Sequence, residues 1–303
     1  MGMIDVGDKP ESYRTATAQA VVVIDPNIMN KILDGNSPKG NIFEAAKISA
    51  TLGVKRTSEL IPYCHPIPID GIKVEFKMEQ NFIKIIVNVN SVWKTGVEME
   101  SLTGASIAAL TIYDMLKPLD KSLTIESVRV IEKHGGIGDF YEKVGRKLNA
   151  VVIVISDTRK IEQDKSGKII IDILSLNGFD IIEYKVLPDE IKLIEYELKR
   201  LCDESNIDII ITTGGTGLGP RDTTPEATKN ILEKEINGIV ESLRNYGQQR
   251  TPLSMLSRGV AGIRGNTIII NLPGSTTAVS QSLNVLFPAI MHGFKMISGQ
   301  GHN

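Results

Sequence analysis

The 303-residue chain is poor in cysteine, tryptophan and histidine, with two, one and four of them. The two cysteines, Cys64 and Cys202, fall in what read as different domains, so an internal disulfide is not expected and a reducing compartment is. A zinc site is not expected either, because Cys64 and His65 are adjacent but His134 and Cys202 stand alone. Neither sign of charge is in excess: 34 basic residues face 36 acidic ones, for a net charge of -2. That balance argues against a dedicated nucleic-acid binder. No apolar run approaches the roughly 20 residues of a membrane helix, and the longest, 207–213 and 267–272, have strand length. The opening MGMIDV has no basic region, and Val6 breaks the myristoylation pattern. These readings predict a cytoplasmic protein with no membrane partner. Its length fits two domains, and 42% apolar residues suffice for two ordinary cores.

Two styles of sequence meet near residue 148. Before it, strand and helix patterns are loosely mixed. Strands are expected at 18–24, 72–78, 82–89 and 123–132, with 94–99 continuing as strand. Helices are expected at 26–34, 41–52 and 102–116, and 56–60 extends the second or starts a new turn. The prolines of 63–68 (YCHPIP) exclude regular structure there. The stretch 140–149 is short, charged and poorly periodic, and reads as a linker. After it, apolar runs at 151–155, 181–186, 207–213 and 267–272 alternate with helical patterns at 169–176 and 189–204, and two helices close the chain. Such alternation predicts a mostly parallel sheet covered on both faces. There is no internal repeat or low-complexity segment.

The most informative segment is Thr212-Thr213-Gly214-Gly215-Thr216-Gly217-Leu218-Gly219-Pro220-Arg221-Asp222, between a buried strand and a helix opened by Thr223-Thr224-Pro225-Glu226. Glycines let the backbone approach a ligand, and loop amides with a helix N-terminus face an anion. It is not a Walker A loop, because Pro220-Arg221 stands where Lys-Ser/Thr belongs, nor a dinucleotide fingerprint. Four glycines with threonines and Arg-Asp favour a ligand loop over a bare tight turn. Asp222 is open to two readings, a helix cap or a Mg²⁺ ligand beside phosphates. Asp189, at the end of the 181–186 strand, is likewise an N-cap or a site carboxylate. A second cluster, Asn271-Leu272-Pro273-Gly274-Ser275, again joins strand to helix, and Arg258 and Arg264 lie just upstream.

In the first half, Asp114 and Lys117 share a helix face at i, i+3. On pattern alone a surface ion pair is the simpler reading; the functional one is a lysine acid/base tuned by a carboxylate. Glu98 and Glu100 lie two apart, on one face if their segment is a strand, with Met99 opposite. Cys64-His65-Pro66 suits a pocket histidine, and Lys39-Gly40-Asn41 and Lys133-His134-Gly135-Gly136 could each meet an anion.

These motifs carry two resemblances. TTGGTGLGPRDTTPEA, SRGVAGIRGNT and NLPGS resemble the molybdopterin adenylyltransferase family over about 150–298. The resemblance implies a three-layer α/β domain that binds Mg²⁺ and ATP and transfers AMP to molybdopterin. Asp189 and Asp222 would be its acidic pair and metal ligands. Ser156, Asp157, Gly214, Gly215, Thr216, Gly217, Arg258, Gly274 and Ser275 would contact nucleotide and pterin. Where many members carry Pro and a basic residue, this chain has Thr276-Thr277.

KGNIFEAAKISA, VKRTSELIPYCHP, KTGVEMESLTGAS, ALTIYDMLK and EKHGGIGDF resemble, in order over about 4–140, the cyclic pyranopterin monophosphate synthase family. That resemblance implies a ferredoxin-like α+β domain, hexameric with sites at subunit interfaces, without a tightly bound cofactor. It would convert a 3',8-cyclised GTP derivative to cyclic pyranopterin monophosphate with pyrophosphate release. Lys117 would be the acid/base and Asp114 its partner. Arg14, Lys39, Cys64, His65, Glu98, Met99, Glu100 and Lys133 would line the substrate pocket, and Lys55 is a further candidate cation. The family's Gly-Gly-Lys-Ser-Gly tail is replaced by Gly135-Gly136-Ile137-Gly138-Asp139. The expected division is 1–147 and 148–303, a bifunctional homo-oligomer acting on small molecules. The alternative is a catalytic first half with a second half that only binds molybdopterin.

Overall fold

The computed structural model describes residues 2–33, 39–142, 144–158 and 160–299, so the expected helix end at Asp34 lies outside the described residues. The chain forms two compact units, Met1–Asp139 and Phe140–Asn303.

The first unit runs β1 (Ser12–Val23), α1 (Pro26–Leu33), α2 (Ile42–Lys55), α3 (Thr57–Leu60), β2 (Gly71–Met78), β3 (Phe82–Trp93), α4 (Glu98–Leu116) and β4 (Thr124–His134). The sheet order is β2-β3-β1-β4, antiparallel throughout. This is the ferredoxin-like arrangement. Strand alternation sets the core: Ile83, Ile85, Val87 and Val89 of β3 are fully buried, each worth roughly 1.5–3 kcal/mol on burial. Small residues bring the helices close. A Cβ at Gly104 of α4 would lie 2.6 Å from a Val54 methyl of α2. Asn41 caps α2, its Oδ1 accepting from the Phe43 and Glu44 amides at 3.0 and 3.1 Å.

The strand expected at 94–99 is not formed. The chain leaves β3 at Trp93, and Glu98, Met99 and Glu100 make the first turn of α4. The Glu98 carboxylate folds back over Gly96, where a Cβ would lie 1.9 Å from its Oε2. Two acidic residues in a first turn also suit the positive end of a helix. Glu98 and Glu100 therefore sit two apart on a helix and do not share a face, as they would on a strand.

The second unit runs β5 (Leu148–Ile155), α5 (Ser166–Leu176), β6 (Phe179–Leu187), α6 (Ile191–Glu204), β7 (Ile209–Thr213), α7 (Thr224–Lys229), β8 (Lys234–Glu235), α8 (Asn237–Gln248), β9 (Ala261–Arg264), β10 (Thr267–Leu272), α9 (Thr276–Leu286) and α10 (Ile290–Ile297). The sheet order is β6-β5-β7-β10-β9-β8. The first four strands are parallel, and β9 and β8 join antiparallel at one edge. Period two divides each central strand between two cores. Leu148, Ala150 and Val152 of β5 face one side with Ile209 and Ile211 of β7. Val151, Ile153 and Ile155 face the other with Ile210. This is the three-layer α/β framework with a mostly parallel sheet.

The stretch expected as a linker packs into the second unit. Glu142 lies 2.8 Å from His292 Nδ1 and 2.7 Å from Lys295 Nζ of α10. Arg146 forks onto Asp208, which also accepts the Asn149 amide at 2.7 Å. These anchors put the boundary ahead of residue 147.

Candidate active sites of the two units

In the first unit, α4 presents polar groups at both ends. At its C-terminal end, the Asp114 carboxylate lies between two ammonium groups: Lys117 Nζ at 2.7 Å from Oδ1 and Lys39 Nζ at 2.7 Å from Oδ2. Lys39 also donates to the Asp114 carbonyl at 2.9 Å. Hydrogen bonds from Lys117 and then Lys39 hold the Asp114 carboxyl down to about 2, and Asp114 raises the pKa of Lys117.

At the other end of α4, a cavity of about 130 Å³ is lined by Arg14, Glu98, Lys133, His134 and Asp139, among others. Lys133 Nζ lies 3.2 Å from Glu98 Oε1. Arg14 is buried and donates to the Trp93 and Lys94 carbonyls at 3.4 Å each. Burial lowers its pKa, against Glu98 and Asp139. The short tail folds tightly here. Gly135 takes φ +92, where a Cβ would lie 1.8 Å from Tyr13 O, and its amide donates to Asp139 Oδ2 at 2.6 Å.

Glu100 is only 2% exposed. Its Oε1 accepts from Cys64 Sγ at 3.6 Å, and its Oε2 finds no hydrogen-bond partner among the described residues. Burial raises the Glu100 pKa, while burial and then the neighbouring Glu100 push the Cys64 thiol to about 11. His65 turns to the Ile4 carbonyl, 2.8 Å away. Met99 is exposed, as is Lys55 at the end of α2. The structure thus groups Lys39, Asp114 and Lys117 together, and Arg14, Glu98 and Lys133 together. Sixteen helical residues separate Glu98 from Asp114, ~24 Å at 1.5 Å per residue.

In the second unit, the loop between β7 and α7 stands at the C-terminal edge of the parallel strands, where ligands of open α/β sheets gather. Gly214 has φ +100, with a prospective Cβ 2.3 Å from Ile155 O. Gly215 has φ +62, with a prospective Cβ 2.3 Å from Thr224 Oγ1 and 2.5 Å from Asp189 Oδ2. Only glycine fits at either position. Thr213 Oγ1 donates to Pro273 O at 2.7 Å and joins this loop to the one after β10. Between them lies a cavity of about 520 Å³, whose wall includes Ser156, Gly215, Thr216, Asp222, Gly274 and Ser275. Gly214 and Gly217 also line it, as do Thr158 and Ser257, which the sequence reading did not single out. Ser257 follows a 3-10 turn, Pro252–Leu256, capped by Thr251; a Thr-Pro pair was its sequence signal. A second cavity of about 280 Å³ shares Leu253, Ser257, Pro273 and Ser275 with the first.

The side chains around the loop are tightly committed. Asp189 caps no helix. Its Oδ1 accepts from the Thr223 amide at 2.9 Å and hydroxyl at 2.8 Å, so Thr223, expected as a cap of α7, donates to Asp189 and makes no side-chain cap bond. Asp157 accepts from the Asp189 amide at 3.1 Å and takes a two-pronged contact from Arg221 at 2.8 and 3.0 Å. The Arg221 hydrogen bonds lower its pKa. Asp222 Oδ2 accepts from the Gly219 amide at 2.7 Å. Ser275 caps α9, accepting from the Ala278 amide at 3.2 Å. Arg258 donates to Gly217 O at 2.7 Å and Asp222 O at 2.5 Å, and pairs with Glu226. Among the described residues, no group of three or more His, Cys, Asp or Glu is placed to hold a metal, and no helix is long and apolar enough to cross a membrane.

Fold and site together define a two-unit protein: a ferredoxin-like unit with a lysine–aspartate–lysine group, then an α/β unit with a glycine-rich loop at the C-terminal edge of its parallel strands. Comparison with known proteins agrees unit by unit. The MoaC family matches residues 3–136, and the family described as "Probable molybdopterin binding domain" matches residues 151–292. The molybdenum cofactor biosynthesis bifunctional protein of Chlorobaculum tepidum is 38% identical over 302 residues, 99% of this chain and 96% of that protein. The cyclic pyranopterin monophosphate synthase of Peptoclostridium acidaminophilum is 43% identical over 141 residues, 46% of this chain and 90% of that protein. The structure of the molybdopterin biosynthesis enzyme MoaB from Thermus thermophilus is 38% identical, covers 50% of this chain and 97% of its own, and gives a TM-score of 0.47. The chain belongs to the family of bifunctional molybdenum cofactor biosynthesis proteins.

Proposed function

We propose that the first unit rearranges a 3',8-cyclised GTP derivative to cyclic pyranopterin monophosphate with release of pyrophosphate, and that the second transfers AMP from ATP to molybdopterin. The two steps are not consecutive, because sulfur is added between them, so joining them in one chain does not imply channelling.

For the first unit, the observation that carries the reading is Asp114 held between Lys39 and Lys117. Lys117, its pKa raised by Asp114, rests as a proton donor. Arg14 and Lys133 provide cations for phosphates at the other end of α4. That end is ~24 Å away along the helix axis, farther than one nucleotide reaches. This separation supports a site shared between copies of the chain, and so a homo-oligomer.

For the second unit, the observation that carries the reading is Gly215, which passes between Thr224 and Asp189 with no room for a side chain. The loop amides hold phosphate, and stabilisation is mainly electrostatic. Asp189 and Asp222 would hold a magnesium ion with phosphate oxygens completing its shell, since magnesium is commonly bound through one or two carboxylates plus phosphates. Two adjoining cavities support this reading, since nucleotide and pterin would each need a place. When bound, magnesium neutralises charge on the transferred phosphate. A second reading, a unit that only binds molybdopterin, is favoured by one observation: Asp189 Oδ1 and Asp222 Oδ2 are already taken by Thr223 and Gly219. Equilibrium binding of molybdopterin beside AMP transfer, in Asp189→Ala and Asp222→Ala, separates the two. Lost transfer with retained binding supports catalysis; a wild type that binds but never transfers supports the binding module.

A further inference from the structure

The sequence places Arg258 among the ligand contacts, but its guanidinium is spent within the protein. Nε donates to Gly217 O at 2.7 Å, Nη2 donates to Asp222 O at 2.5 Å, and Nη1 pairs with Glu226. The backbone amide of Arg258 donates to Thr216 O at 3.1 Å. One residue therefore grips the glycine loop at both ends and ties it to the first turn of α7. Arg258 is not among the described residues that line the 520 Å³ cavity, whereas Gly217 and Asp222 are.

Inside this grip the loop closes on the Asp222 carboxylate. Gly219 N donates to Asp222 Oδ2 at 2.7 Å. A Cβ at Gly217 would lie 2.8 Å from that oxygen, and one at Gly219 would lie 2.7 Å from it. Asp222 lines the cavity, and its Oδ2 is packed against the Gly217 and Gly219 backbone. The carbonyls of Gly217 and Asp222 are the two backbone groups that accept from the Arg258 side chain.

We propose that Arg258 is a positioning residue that clamps the loop from Gly217 to Asp222 and so fixes the Asp222 carboxylate toward the phosphate cavity. The proposal rests on the adenylyltransferase reading for its catalytic consequence, not for the clamp itself. The clamp needs a planar fork whose donors reach three acceptors; a lysine supplies the charge but not the fork.

The test compares the full-length wild type, Arg258→Lys and Glu226→Gln by backbone hydrogen exchange over 216–222 and by equilibrium binding of ATP and of molybdopterin. In Arg258→Lys the Gly219 amide is expected to exchange at least tenfold faster, with molybdopterin affinity within about twofold of wild type and AMP transfer at saturating substrate reduced. Glu226→Gln, which weakens one of the three side-chain contacts, is expected to give a smaller increase in the same amide, and carries the test where Arg258→Lys does not fold. Unchanged Gly219 exchange in the folded variants, or a tenfold loss of ATP or molybdopterin affinity without faster exchange, would overturn the clamp in favour of direct ligand contact. A wild type that transfers no AMP would remove the adenylyltransferase reading; the exchange comparison needs no turnover and still decides the clamp.

Discussion

Lys39 Nζ lies 2.7 Å from Asp114 Oδ2, joining residues 75 positions apart in the sequence. The contact turns an i, i+3 ion pair on α4 into a three-charge group, with one carboxylate serving two ammoniums. That arrangement makes the two lysines separable by experiment. Lys117→Arg keeps a cation beside Asp114 but replaces an ammonium that can give up its proton with a guanidinium that stays charged. Formation of cyclic pyranopterin monophosphate is expected to fall roughly 100-fold in kcat, the scale of general acid–base catalysis, with KM little changed. Lys39→Met is expected to raise KM more than it lowers kcat. Steady-state kinetics on both variants checks the division of roles.

Glu100 gives a prediction in pH. Burial raises its pKa, and an acid whose folded pKa lies above its unfolded value, about 4.3, contributes stability that is fully present below that unfolded value. The contribution is lost as pH rises through the folded pKa. Glu100→Gln removes the charge at nearly constant volume. It is expected to raise the Tm of the first unit by a few degrees at pH 8 and to leave it unchanged at pH 4. Thermal unfolding followed by circular dichroism at the two pH values checks this, and an equal shift at both would assign the effect to packing.

Gly215→Ala puts a methyl group 2.3 Å from Thr224 Oγ1 and 2.5 Å from Asp189 Oδ2 at a positive φ. The combined strain and clash are expected to cost the second unit about 1–3 kcal/mol and to reduce molybdopterin affinity at least tenfold. Calorimetric unfolding with equilibrium binding checks both. Cyclic pyranopterin monophosphate formation is expected to stay within twofold of wild type.

The long periodic elements were legible because one force made them. Apolar runs such as Ile209–Thr213 are buried on both faces, and nothing competes with burial in placing them. The glycine loop was legible because positive φ at Gly214 and Gly215 leaves few residue types to choose from. The segment 94–99 was not, because its alternation also fits a loop followed by an acidic first turn. Strands β8 and β9 were hidden by being two and four residues long, and α8 by burying only Val240 and Tyr246. Partner choice was the least legible. Spacing alone does not show that Asp189 serves Thr223, that Arg221 serves Asp157, or that Arg258 grips Gly217 and Asp222. Those pairings are set by tertiary contacts between segments far apart in the chain.

The claim that two separate active sites share one chain is tested most directly by assaying both reactions on wild type, Lys117→Ala and Asp222→Ala. One assay supplies the 3',8-cyclised GTP derivative and measures cyclic pyranopterin monophosphate; the other supplies molybdopterin, Mg²⁺ and labelled ATP and measures adenylylated molybdopterin. The account predicts that wild type makes both products, that Lys117→Ala loses only the first, and that Asp222→Ala loses only the second. Loss of both products in either variant, or a wild type that makes no adenylylated molybdopterin, would contradict it.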